Sequence, residues 1–102
     1  MAMPSDVQDT FGYALHLAQM GKKYEQAKPL KGFGSAGILE VVADSSRGTF
    51  RAVYTVKFSD AIYVLHCFQK KSVQGIATPK PDMDLIRERF RAAAAHAKGE
   101  IT

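Results

Sequence analysis

Four side chains in this sequence have the chemistry to handle an anionic ligand: Arg51 in "GTFRAVYTV", and His66, Lys70 and Lys71 in "IYVLHCFQKK". An arginine presents a rigid fork of donors that fits phosphate or carboxylate, whereas a lysine supplies a mobile point charge. Histidine ordinarily titrates near neutrality, which makes His66 the acid–base candidate of the set. Each residue also has an ordinary reading. Lysines at a strand end commonly protect an edge. A sheet arginine is commonly half of an ion pair, for which Glu40 is available, and a histidine in an apolar run is commonly a packing residue. No second His or Cys stands at metal-ligand spacing, so neither a metal nor another cofactor is expected.

The chain that must position these groups has 102 residues, room for one domain spanning 1–102 with one core. Apolar residues make up 46% and charged residues 24%, a globular rather than a disordered composition. Lysine and arginine outnumber the acids 14 to 10, and the net charge of +4 favours a polyanion or an acidic partner. Cys67 is the only cysteine, which suits a reducing compartment. The start "MAMPSDVQDT" lacks a secretory pattern. No window approaches the roughly 20 apolar residues that span a bilayer. A soluble, cytoplasmic protein without membrane contact is expected.

Apolar residues Val7, Phe11, Ala14, Leu15 and Ala18 recur at helical steps, so a helix is expected over Ser5 to Met20, closed by Gly21 with Lys22 and Lys23. "KKYEQAKPLKGFGSAG" reads as loop, with at most a helical turn around Tyr24 to Ala27. Three strand-like runs follow, Gly37 to Asp44, Gly48 to Phe58 and Ala61 to Gln69. A second helix begins near Asp82, read as its cap, and closes at Lys98 and Gly99. The expected fold class is α+β: a small antiparallel-rich sheet of three or four strands with the N-terminal helix packed on one face, plus a C-terminal helix.

A two-residue turn at Ser59 and Asp60 sets Arg51 opposite Phe68 and Val53 opposite His66. A turn at Ser46 and Arg47 sets Val42 opposite Arg51 and Glu40 opposite Val53. One face then collects Glu40, Arg51, His66 and Lys70, and is expected to lie away from the main core. The other collects Leu39, Val41, Ala43, Phe50, Ala52, Tyr54, Val56, Tyr63, Leu65 and Cys67, an apolar surface for helices.

In this order and spacing, "LKGFGSAGILEV", "GTFRAVYTV" and "IYVLHCFQKK", then a proline and a closing helix, the chain resembles the RelE/ParE toxin superfamily, and within it the phage-derived HigB-like branch. The resemblance covers about Leu30 to Arg91. It implies a toxin paired with a helix-turn-helix antitoxin, whose active members cleave messenger RNA on the ribosome. It places Arg51, Lys70 and Lys71 on an RNA-facing concave sheet surface, and Arg47 is the residue available to replace the arginine the family often carries where this chain has Val42, a further RNA-binding charge. With His66 added as the acid–base candidate from its residue type, the expected catalytic set is Arg51, His66, Lys70 and Lys71. Two other functions stay open within the superfamily, a ParE-like toxin acting on gyrase and a catalytically silent partner-binding member.

Overall fold

The computed structural model describes residues 3–34, 37–58, 61–70 and 78–98, with Lys70 described by its backbone alone. Along the chain lie helix α1 (Ser5–Gln19), strands β1 (Lys28–Pro29), β2 (Ile38–Ser45), β3 (Gly48–Thr55) and β4 (Tyr63–Lys70), and helix α2 (Lys80–Ala97). The strands form one sheet in the order β1-β2-β3-β4, each pair antiparallel. The α+β class is as expected. The two-residue β1 lies in the stretch whose composition suggests loop. A proline suits it there, because an edge strand has one side that owes no hydrogen bonds.

Helix α1 buries Val7, Phe11, Ala14 and Ala18, the stripe its periodicity marks. It ends where Gly21 turns to φ 76° and the Lys22 N–H reaches back to the Leu17 carbonyl at 2.8 Å.

The β2–β3 register is the expected one, with Glu40 opposite Val53, Val42 opposite Arg51 and Asp44 opposite Thr49. The turn between them closes on Gly48, whose φ of 124° favours glycine. A Cβ there would also stand 2.7 Å from Nε2 of Gln69. Gly48→Ala is therefore expected to lose about 1–3 kcal/mol, read as a lower urea midpoint at unchanged slope.

Between β3 and β4 the structure departs from expectation. Arg51 opposes Phe68 and Val53 opposes His66, but the next pair is Tyr54 with Val64, so Leu65 is an extra residue in a β-bulge. A slip of one residue exchanges faces. Tyr63 and Leu65, expected on the α1 side, therefore pack with Val53, Phe68 and Ile86 on the α2 side. The strands also end sooner than the sequence runs suggest, β3 at Thr55 and β4 beginning at Tyr63. The Thr55 hydroxyl donates to the Gly37 carbonyl at 3.0 Å and accepts the Lys57 N–H at 3.2 Å, bonds that close the strand locally. Ser59 and Asp60, the expected turn, lie outside the described residues.

The sheet has a core on each side. Val41, Ala43, Phe50, Ala52 and Tyr54 pack with the α1 stripe, partly buried Leu39 and Cys67 joining them. Ile38, Val53, Leu65 and Phe68 pack with Ile86 and Ala93 of α2. The face carrying Glu40, Arg51 and His66 is thus not turned away from the interior, as the strand pattern alone suggests. Helix α2 covers it, because Val53, Phe68 and the bulged Leu65 supply enough apolar surface there to hold a helix. Val56, expected in the apolar set, is 40% exposed just past the end of β3.

Burial raises both the Cys67 thiol and the Tyr54 hydroxyl above their ordinary pKa ranges, with a smaller opposing pull on Cys67 from Arg89. A raised folded pKa gives stability that is present below the unfolded value and lost as pH climbs through the folded one. The protein is expected to lose stability from about pH 9 upward, where an unfolded thiol starts to ionise. At neutral pH Cys67 is expected to react with iodoacetamide far more slowly than in urea. Rapid native labelling would contradict its placement.

Candidate functional site

The site is built on the sheet face under α2. Arg51 stands in the middle of β3 and is 6% exposed. Its Nη1 donates to Oε2 of Glu40 at 2.6 Å and to Oγ1 of Thr78 at 3.4 Å. Glu40 reaches it from β2 because Glu40 and Val42 share a face and Val42 is the residue opposite Arg51. Both members of this pair are largely shielded, at 8% and 16% side-chain exposure, which makes the carboxylate and the guanidinium mutually necessary. The ion-pair reading of Arg51 is therefore realised.

His66 lies diagonally across from Arg51, stacked at 4.7 Å on the ring of Phe68. Its Nε2 is 2.8 Å from Oδ1 of Asp82, and its Nδ1 is 3.3 Å from Nη1 of Arg89. A guanidinium has only donors, so Nδ1 accepts from it and Nε2–H donates to Asp82. The tautomer follows from this pairing. The same Arg89 Nη1 donates to the Leu65 carbonyl at 2.9 Å, satisfying the residue that the bulge leaves without a strand partner. The 3.3 Å contact is the looser of the two, so Nδ1 is the more readily vacated nitrogen.

Asp82 is not the helix cap that its sequence position suggests. Pro79 occupies the cap position without a side-chain bond, and Asp82 sits in the first turn of α2. Its role as the partner of His66 is not legible from its own neighbourhood. One signal is present in the spacing: Asp82 and Arg89 are seven residues apart, two helical turns, and so share the face that carries Ile86.

At the far end of the sheet, the turn bearing Arg47 and the end of β4 come together. Thr49 opposes Lys70, and Nε2 of Gln69 donates to the Arg47 carbonyl at 2.8 Å. The backbone of Lys70 is thereby fixed beside that turn, two positions along the ladder from the Arg51–Phe68 pair. Lys71 lies outside the described residues. Of the five positions singled out in the sequence, the structure brings Arg47 and Lys70 to one sheet end, puts Arg51 next inward, and puts His66 beyond Phe68. Among the described residues no helix is long and apolar enough to cross a membrane.

On the opposite face, the Tyr54 hydroxyl is buried and has no hydrogen-bond partner among the described residues. An unmet buried hydroxyl costs about 1–3 kcal/mol. Desolvation holds it neutral, as a donor.

No curated protein and no solved structure matches the chain. The family model described as phage derived protein Gp49-like (DUF891) matches residues 1–91. That span takes in α1, every strand and most of α2 through Arg91, and with them Glu40, Arg51, His66, Asp82 and Arg89. The chain therefore belongs to the phage-derived Gp49-like family, a RelE/ParE-like toxin family.

Proposed function

We propose that the protein is a HigB-like toxin of a type II toxin–antitoxin pair, and that it cleaves messenger RNA on the ribosome, in the cytoplasm, until a helix-turn-helix antitoxin silences it. The observation that carries this reading is the meeting of the Arg47 turn with the Lys70 strand end, next to buried Arg51. Such an end, with Lys71 adjoining in sequence, offers positive charge to a phosphate chain.

RNA cleavage of this kind needs three services: a base for the 2′-hydroxyl, positive charge for the phosphorane oxygens, and an acid for the departing 5′-oxygen. In this proposal the 2′-oxygen attacks the adjacent phosphorus as its proton passes to Nδ1 of His66, after Arg89 withdraws to the Leu65 carbonyl. Asp82 holds the opposite nitrogen and stabilises the imidazolium that results. The P–O5′ bond breaks, leaving a 2′,3′-cyclic phosphate and a 5′-hydroxyl, with Lys70 or Lys71 delivering the second proton. Arg51 balances the extra phosphorane charge. A phosphate oxygen takes the place of Thr78, whose 3.4 Å contact is the long one, while Glu40 keeps the guanidinium in register.

A second reading, a member that binds its partner without cutting RNA, draws on the same Arg51–Glu40 pair. The two separate on binding as well as on chemistry. Replacing Arg47, Lys70 and Lys71 together by alanine is expected to weaken ribosome association and to reduce the slope of log affinity against log salt by about 2, at about 0.7 for each phosphate no longer neutralised. An unchanged slope would remove this sheet end from RNA binding.

A further inference from the structure

The α1 side of the sheet holds a groove of about 760 Å³. It opens between the C-terminal end of α1 and the exit of β3, on the face opposite Arg51 and His66. Its walls are apolar, with Leu39, Tyr54, Val56 and Ile62 among them, and its rim carries Lys22 and Lys23. Among the described residues no acidic side chain lines it. The Tyr54 hydroxyl described above belongs to a residue of this groove, and it is a buried donor without a partner among the described residues.

We propose that this groove docks an acidic, apolar-anchored peptide segment of a partner protein, its apolar side chains seated against Leu39, Val56 and Ile62 and a carboxylate accepting from Tyr54. Charge complementarity selects the occupant. From Lys22 to Lys31 the chain carries four lysines, Lys22, Lys23, Lys28 and Lys31, against one acid, Glu25. Of these, Lys22 and Lys23 stand on the groove itself, where no acidic side chain among the described lining residues offsets them. The floor argues for peptide over nucleic acid, because Tyr54 is 1% exposed and has no open ring face on which a base can stack. The choice of a protein partner rests on the antitoxin reading. The site lies away from the proposed RNA end, so binding here is measured without reference to cleavage.

The test is a titration of the isotope-labelled full chain with short synthetic peptides, followed by amide chemical shifts. One set alternates leucine or phenylalanine with glutamate, a second replaces each glutamate by lysine, and a single-stranded RNA serves as the third ligand. The acidic set is expected to shift Leu39, Tyr54, Ile62 and the Ala18–Lys23 region saturably. Lys22→Glu with Lys23→Glu is expected to weaken that binding about tenfold or more. Tyr54→Phe is expected to weaken it about tenfold while leaving the free protein at least as stable as wild type, since the hydroxyl has no bond to lose. Equal binding of both peptide sets, the same shifts produced by the RNA, concentration-dependent shifts without any ligand, or no shift at these residues would each overturn the proposal. Loss of messenger RNA cleavage with intact acidic-peptide binding would overturn the nuclease reading and leave this one standing.

Discussion

Arg51→Ala is expected to lower messenger RNA cleavage by about 100-fold or more, the scale of losing one preorganised donor to a developing negative charge. The same change strands Glu40, whose side chain is only 16% exposed, so a stability loss of about 3–5 kcal/mol is expected alongside. These two effects must be parted. Arg51→Met combined with Glu40→Leu removes both charges and is expected to recover most of the stability, because an apolar pair of similar volume can replace a buried ion pair. It should recover none of the cleavage. Arg51→Lys is expected to restore activity only in part, since a point charge does not reproduce the fork that engages Glu40 and a phosphate together. Cleavage by the Arg51→Met, Glu40→Leu protein at the wild-type rate would make Arg51 a structural residue.

His66→Gln carries the second large effect. If Nδ1 takes the 2′-hydroxyl proton, cleavage should fall by about 10²–10⁴, the range of general acid–base catalysis. Asp82→Asn is expected to fall less, because it leaves the imidazole in place but weakens the bond that sets its tautomer and removes the charge facing the imidazolium. Single-turnover cleavage on pre-bound ribosomes measures both without interference from binding. Should His66→Gln cut within twofold of wild type in that assay, the His66–Asp82–Arg89 cluster would be a latch that holds α2 on the sheet, with no part in the chemistry.

Much of this arrangement is readable in the strand runs. The pairing of Arg51 with Val42 follows from a two-residue turn at Ser46 and Arg47, and those of Arg51 with Phe68 and of Val53 with His66 are the ones a turn at Ser59 and Asp60 predicts, although a bulge lies on the turn side of them. What alternation does not contain is a bulge. Leu65 is as apolar as its neighbours, so nothing local distinguishes the residue that is skipped, yet that residue sends Tyr63 and Leu65 to the other face. With them goes the apolar surface on which α2 docks. Reading one face as charged also conceals its apolar half, Val53 and Phe68, both of them buried. Glu40 is legible as a partner for Arg51, being on the adjacent strand and the same face. Asp82, Arg89 and Thr78 are not, since their roles depend on where a helix far along the chain comes to rest.

We propose that this member of the Gp49-like family cuts messenger RNA on the ribosome. The most direct test is cleavage of a defined message on purified ribosomes programmed with that message, with cut sites mapped by primer extension. Wild-type protein is expected to make cuts that require the ribosome, leave 5′-hydroxyl ends, and disappear in the Arg51→Met, Glu40→Leu protein. Intact message under those conditions, from wild-type protein that still arrests growth through DNA gyrase or through a partner alone, would contradict it.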